Sequence, residues 1–147
     1  ECELDAIVRR AVRRFAGEFI GRKLKLCYEP LNVSCVTDEK WLLFVIEQVL
    51  SNALKYTRAG SITIELEAPK TLVIRDTGIG VAPEDLPRIF EKGYTGYNGR
   101  GDQKASGLGL YLCRTICKRL GHTITASSVP DHGTAIRITL EQRQVRE

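Results

Sequence analysis

Residues 71–80 read Thr-Leu-Val-Ile-Arg-Asp-Thr-Gly-Ile-Gly. Side chains alternate along a strand, so Leu72, Ile74 and Asp76 share one face and an apolar stripe ends on an acid. A carboxylate so placed must find a donor or bear a desolvation penalty. The exocyclic amine of adenine is such a donor, whereas guanine presents a carbonyl at the equivalent edge. Gly78 and Gly80 have no Cβ, which lets the chain turn sharply and a flat base come close. Alone, the same residues are also a plain Asp-Gly turn.

Upstream, residues 61–67 alternate Ile62, Ile64 and Leu66 against Thr63, Glu65 and Glu67, the pattern of a half-buried strand. Pro69-Lys70 turns that strand back into 71–76 as an antiparallel hairpin. Leu42, Val45, Ile46, Val49, Leu50 and Ala53 repeat at the helical period. Thr37 or Asp38 caps that helix, which reaches Tyr56 and is ended by Ala59-Gly60. Residues 5–21 form an earlier amphipathic helix, and 23–29 and 33–36 short strands about the turn Pro30-Leu31-Asn32. Downstream, 83–90 holds short helical turns with Phe90 anchored in the core, and 91–106 is a loop. Residues 108–120 form a third helix closed by Gly121. Two further strands, 122–128 and 134–140, flank the turn at 130–133, and the polar tail 141–147 is expected to fray. Helices and strands mix without regular alternation. The pattern predicts an α+β two-layer sandwich, a mixed, mostly antiparallel sheet covered on one face by three helices.

The 147 residues suit one domain with one core, and the hydrophobic fraction of 43% is ordinary. No apolar run approaches the ~20 residues that span a bilayer, and no signal peptide opens the chain. Methionine is absent, including at position 1, so the chain is expected to be a domain of a longer protein. The net charge of +4 is spread over Lys and Arg that are not interleaved with aromatics, which argues against nucleic acid. Arg9, Arg10, Arg13 and Arg14 lie opposite the stripe Leu4, Val8, Ala11, Val12, Phe15 and Phe19 and read as a solvated helix face. The five cysteines include no Cys-x-x-Cys pair and read as buried, reduced thiols of a cytosolic domain.

At about 100° per residue, Gln48, Asn52 and Lys55 fall within a stripe ~60° wide beside the buried face of the long helix. The two amides offer carbonyl oxygens to a hard cation such as Mg²⁺, and Lys55 lies one turn on, placed for phosphate. Seen alone, the stripe reads first as the solvated flank of a core helix. Gly107 and Gly109 open the third helix, whose N–H groups make an anion site. No Lys-Ser/Thr follows, so this is not a P-loop. In the glycine-rich loop, Arg100 and Lys104 are placed to close over polyphosphate.

These residues, in this order, resemble the catalytic and ATP-binding domain of bacterial sensor histidine kinases, the fold shared with gyrase, Hsp90 and MutL. Residues 47–57 (Glu-Gln-Val-Leu-Ser-Asn-Ala-Leu-Lys-Tyr-Thr) look like the N box and 76–80 like the G1 box. Arg88-Ile89-Phe90-Glu91-Lys92-Gly93 looks like the F box, Gly107-Leu108-Gly109-Leu110 the G2 box, and Gly133-Thr134 the last turn of that family. The stretch 90–113 is most similar to Firmicute kinases that answer cell-envelope antimicrobial peptides. The resemblance covers about residues 4–140 and implies a single Bergerat-type domain over 1–147 with an ATP lid at about 91–106.

The resemblance implies ATP and Mg²⁺ as cofactors, with Asn52 and Gln48 on the metal and Asn52, Gln48 and Lys55 as the catalytic set. Asn52, Lys55, Tyr56, Asp76, Gly78, Ile79, Gly80, Arg100, Lys104, Gly107, Leu108, Gly109, Leu110 and Thr134 would line the nucleotide. Gln48 departs from the asparagine that many such kinases carry. The phosphoacceptor histidine would sit on a separate dimerisation domain, absent here, because His122 and His132 read as packing or surface residues. Alone, the domain would bind ATP without phosphorylating itself. It would be a monomeric cytoplasmic part of a membrane-bound homodimeric parent that passes phosphate to a response regulator. Two relatives of the fold compete. An ATP-hydrolysing clamp needs a glutamate where Gln48 stands, and an anti-sigma-type serine kinase would take a different acceptor. A degenerate regulatory domain is disfavoured by the intact motifs.

Overall fold

The computed structural model describes residues 2–68, 70–93 and 109–140. Helices α1 (Leu4–Arg22), α2 (Glu39–Tyr56) and α3 (Gly109–Leu120) accompany seven strands. These are β1 (Cys2–Glu3), β2 (Lys25–Tyr28), β3 (Ser34–Cys35), β4 (Ser61–Glu67), β5 (Thr71–Asp76), β6 (Thr123–Val129) and β7 (Gly133–Thr139). Five of them form one sheet in the order β2-β4-β5-β7-β6. Only β2 and β4 run parallel; the other neighbours are antiparallel. The mixed, mostly antiparallel sheet expected from the sequence is therefore present, with β4 and β5 at their expected bounds of 61–67 and 71–76.

Register carries the apolar rows across the sheet. Ile64 faces Ile74 and Ile74 faces Ile136, while Leu66 faces Leu72 and Leu72 faces Ile138. Leu42, Val45, Ile46, Val49 and Leu50 of α2 and Leu4, Ile7, Val8 and Ala11 of α1 complete the same core. Each fully buried Leu or Ile among them contributes about 1.5–3 kcal/mol of transfer free energy. Ile89 and Phe90 join that cluster just after a 3-10 turn at Leu86–Arg88, as the anchoring role expected of Phe90 requires.

The helix ends follow local chemistry. Asp38, one of the two candidate caps, accepts from the Trp41 N–H at 3.2 Å. Helix α1 runs past Gly21 and ends on Lys23 in the left-handed region (φ 56°), so β2 begins at Lys25 rather than 23. Where α1 starts, Asp5 is 6% exposed and grips the β2–β3 loop. Its carboxylate accepts from the Tyr28 hydroxyl, from Leu31 N–H at 2.9 and 3.0 Å and from Asn32 N–H at 2.8 Å. Burial pushes the Asp5 carboxyl up, but those donors, with the charge of Arg9, outweigh it and hold the group below its ordinary value. Tyr28 is pushed up to about 12, by burial first and then by Asp5.

The sheet face turned away from the helices carries a charge ladder. Arg75 pairs with Glu65 at 2.5 Å, Arg137 pairs with Glu67 at 3.1 Å, and Arg137 also donates to Ser127 at 2.8 Å. On α1, Arg9, Arg10, Arg13 and Arg14 are exposed as expected, and Arg14 reaches Glu47 of α2 at 3.0 Å. Among the described residues no helix is long and apolar enough to cross a membrane. None of the cysteines is in a disulfide; Cys35, Cys113 and Cys117 are buried, but Cys2 and Cys27 are only partly so.

Candidate functional site

Register also builds the site. Ile62 faces Asp76 across β4–β5, and Ser128 faces Thr134 across β6–β7. Asp76 lies one step beyond the Arg75–Ala135 pair, so it sits beside Thr134 on the helix-covered face. One row at one end of the sheet thus holds Asp76, Thr134 and Ser128.

Asp76 is 8% exposed. Its Oδ1 accepts from Gly78 N–H at 2.8 Å and from Thr134 N–H at 3.2 Å. Both bonds fall on the same oxygen. Among the described residues nothing donates to Oδ2. Burial is the largest influence and raises the Asp76 carboxyl above its ordinary value; the two backbone donors offset this only in part. Half of this buried carboxylate is thus without a donor among the described residues.

The turn after Asp76 packs backbone to backbone. Ile79 N–H donates to the Tyr56 carbonyl at 3.1 Å, and Ile79 in turn accepts from Asp131 N–H at 2.7 Å. A Cβ on Gly78 would come within 2.3 Å of the Tyr56 carbonyl oxygen, so only glycine fits without a shift. Gly80 has φ +75°, and a Cβ there would lie 2.4 Å from the Val129 carbonyl oxygen. The end of α2, the turn and the β6–β7 hairpin are in this way locked around Asp76.

Helix α2 supplies the polar stripe. Gln48, Asn52, Lys55 and Tyr56 are all half-buried, and the Lys55 ammonium lies 5.2 Å from the centre of the Tyr56 ring. Gln48 Oε1 sits only 3.1 Å from where a Cβ on Gly109 would be, so this amide fronts the first residue of α3. Glu47 points elsewhere, toward Arg14. Gly109 and Leu110 open α3 half-buried. Of the other expected residues, Arg100, Lys104, Gly107 and Leu108 lie outside the described residues, as does the loop from 94 onward. The structure therefore gathers Asp76, Gly78, Ile79, Gly80 and Thr134 at one end of the sheet against Tyr56. Gln48 and Gly109 meet at the neighbouring helix pair.

Ser128 was not singled out from sequence, yet it organises the hairpin side of the site. Its hydroxyl accepts from Val81 N–H at 2.7 Å, donates to the Gly133 carbonyl at 2.8 Å and contacts the Thr134 hydroxyl at 3.0 Å. The signal was its place two residues after Ala126 on the inward face of a strand. Thr57, the last residue of the N-box stretch, is fully buried, and among the described residues its hydroxyl has no hydrogen-bond partner. His122 is the packing histidine anticipated: it is 3% exposed, its Nε2 is 2.9 Å from Thr37 Oγ1, and burial lowers its pKa.

A family described as "Histidine kinase-, DNA gyrase B-, and HSP90-like ATPase" matches residues 37–144. The sensor histidine kinase YxdK of Bacillus subtilis (strain 168) is 36% identical over 141 residues, covering 92% of this chain and 42% of that protein. The sensor protein BceS of Halalkalibacterium halodurans is 42% identical over 139 residues, with the same two coverages of 92% and 42%. The chain thus spans less than half the length of these relatives. Among solved structures, the mycobacterial sensor histidine kinase MprB superposes with a TM-score of 0.76 at 24% identity, covering 93% of this chain and 94% of that one, a likeness of fold.

Proposed function

The chain belongs to the histidine kinase-, DNA gyrase B- and HSP90-like ATPase family, and from that premise we propose that it is the ATP-binding catalytic domain of a two-component sensor histidine kinase. Its similarity to YxdK and BceS along nearly its whole length supports that branch of the family. The observation that carries the nucleotide reading is the half-satisfied carboxylate of Asp76. Oδ1 is fixed by two backbone donors, and Oδ2 is left for the exocyclic amine of adenine. Gly78, Ile79 and Gly80 would lie along the base, with Thr134 steadying it from the hairpin side. Tyr56, Gly109, Leu110 and, outside the described residues, Gly107 and Leu108 would line the rest.

The donor set also fits a magnesium ion. Among the described residues no three His, Cys, Asp or Glu cluster as a metal cage. Amide oxygens from Asn52 and Gln48 are hard donors that leave room for phosphate oxygens and water, as Mg²⁺ prefers. Bound there, the ion would offset the charge on the phosphoryl group being transferred. Lys55, with Arg100 and Lys104, would hold the polyphosphate in line. The chain's own work is then orientation and charge complementarity rather than covalent chemistry. The γ-phosphoryl would pass to a histidine on a dimerisation domain of the parent protein, and onward to a response regulator. The parent would be a homodimer in the cell membrane with this domain on the cytoplasmic side.

Hydrolysis as in a clamp ATPase is less well supported. It needs a base poised over water, position 48 is an amide, and the Glu47 carboxylate is engaged with Arg14. Titration calorimetry with a non-hydrolysable ATP analogue tests the reading. Asn52→Ala is expected to remove most of the Mg²⁺-dependent part of the affinity, about tenfold or more, while binding measured in EDTA barely changes. Equal losses with and without the metal would overturn the metal assignment. A wild-type chain that binds no adenine nucleotide would overturn the whole reading.

A further inference from the structure

The first strand brings two cysteines face to face. Cys2 of β1 is the direct antiparallel partner of Cys35 in β3. Side chains directly opposed on such a ribbon point to the same side. That side is the inner one, because Cys35 is 2% exposed and belongs to the core, and Cys2 packs against it. The Cys2 thiol donates to the Thr37 carbonyl at 3.9 Å, so its sulfur lies along the continuation of β3. Leu4 N–H bonds to the Val33 carbonyl at 3.0 Å. The Cys2–Cys35 pair, two residues along, is therefore of the same hydrogen-bonded class, with Cα atoms about 5.5 Å apart. That spacing lies inside the range a disulfide spans. The Cβ atoms of such a pair stand about 5.5 Å apart against the ~4 Å of a relaxed bridge. A bond here would be somewhat strained, and strained bridges are the readily reduced ones.

We infer that Cys2 and Cys35 are a reversible redox pair, which a hydroperoxide converts into a cross-strand disulfide. The partly exposed Cys2 reacts first. Its sulfur attacks one peroxide oxygen, the O–O bond breaks, and the thiol becomes a sulfenic acid as one water leaves. The Cys35 sulfur then attacks the Cys2 sulfur. An S–S bond forms, the S–O bond breaks, and the hydroxyl leaves as a second water with the Cys35 proton. The two thiols give up two electrons and the hydrogen peroxide takes them. No other cysteine is so placed. Cys27 faces Thr63 in the sheet. Cys113 and Cys117 are buried in α3, their thiols pushed up by burial. The bridge would staple the segment that enters α1 to the one that enters α2. Asn52 lies about 20 Å along α2 from its cap, so nucleotide binding should not sense the staple. The inference stands or falls apart from the proposed kinase function.

The test is to treat the 147-residue chain with hydrogen peroxide, alkylate the remaining thiols in denaturant and map the non-reduced peptides by mass. The expected product is one intramolecular Cys2–Cys35 link, lost on adding dithiothreitol, with the thermal midpoint about 5 °C higher while the bridge is present. Cys2→Ser and Cys35→Ser should each abolish the link, and Cys27→Ser should leave it. Oxidation of Cys2 to sulfinate without a link, or a link to any other cysteine, would overturn the inference. So would a linked chain that melts no higher than the reduced one.

Discussion

Two aspartates sit at opposite stations of this domain with nearly the same exposure, 6% for Asp5 and 8% for Asp76, and the fold treats them in opposite ways. Asp5 has donors on both oxygens, from a tyrosine hydroxyl and two successive backbone amides, and its carboxyl is held below its ordinary value. Among the described residues Asp76 has donors on one oxygen only, and burial raises its carboxyl. Both side chains are buried carboxylates near the end of an element, so burial alone distinguishes nothing. What separates an anchor from a receptor is whether the protein itself supplies every donor. Asp5 closes its own account and ties α1 to the β2–β3 loop. Under the proposed function, the other oxygen of Asp76 would take its donor from the bound nucleotide.

The contrast breaks most sharply at the two acids themselves. Asp76→Asn is expected to weaken ATP-analogue binding at least ~100-fold, because an amide nitrogen now confronts the adenine amine. Its thermal midpoint at pH 7 should not fall, since a carboxylate disfavoured by burial has been replaced. Asp5→Ala should do the reverse. It strands the Tyr28 hydroxyl and two backbone N–H groups, costs about 3 kcal/mol and lowers the midpoint by ~10 °C. The folded fraction would still bind nucleotide with wild-type affinity by calorimetry. If Asp76→Asn proved the destabilised variant and Asp5→Ala the binding-deficient one, the assignment of roles would be inverted.

Gly78→Ala probes whether the receptor end tolerates displacement. Its Cβ would press on the Tyr56 carbonyl oxygen at 2.3 Å, so the turn must move, at about 2 kcal/mol in stability and with reduced affinity. Ser128→Ala is milder, about 1 kcal/mol, because Val81 N–H loses its acceptor and Thr134 a neighbour. Denaturant midpoints and titrations on the same samples would rank the two.

The smallest effect is the pH profile, which sharpens the contrast by sign. The Asp5 carboxyl is lower in the folded chain, so its stabilisation is present above the ordinary value near 4 and fades as pH falls through the folded one. The Asp76 carboxyl is higher in the folded chain, so its contribution is full below ~4 and fades as pH rises through the folded value. On acidification, wild type should lose its advantage over Asp5→Asn and gain relative to Asp76→Asn. Parallel curves for the two variants in urea melts across that window would contradict the burial argument.

Much of this was legible beforehand because the signals were local. Strict alternation fixed β4, the Pro69-Lys70 turn and the apolar run Leu72-Val73-Ile74 marked β5, and the Leu42–Ala53 period fixed α2. Asp76 stood out as an acid closing an apolar stripe. What escaped detection depended on pairing. Strand β1 is two residues long and has no period to read; it exists because β3 lies beside it. The parallel β2–β4 contact spans a whole helix in sequence, so nothing near either strand announces it. Asp5 read only as the start of a helix, since its donors come from residues 28–32. Ser128 gained meaning only when register set it opposite Thr134.

That register has a lasting consequence for how such a chain can change. Because Ser128, Thr134 and Asp76 meet by strand parity, lengthening or shortening the β6–β7 hairpin by a single residue would rotate Thr134 to the outer surface and bring Ala135 in. The same slip would turn Ile136 and Ile138 out of the core, so it would cost stability along with the proposed binding row. Length changes in this hairpin are therefore expected only where the turn absorbs them and β7 keeps its register against β5, because core and proposed site are set by the same parity.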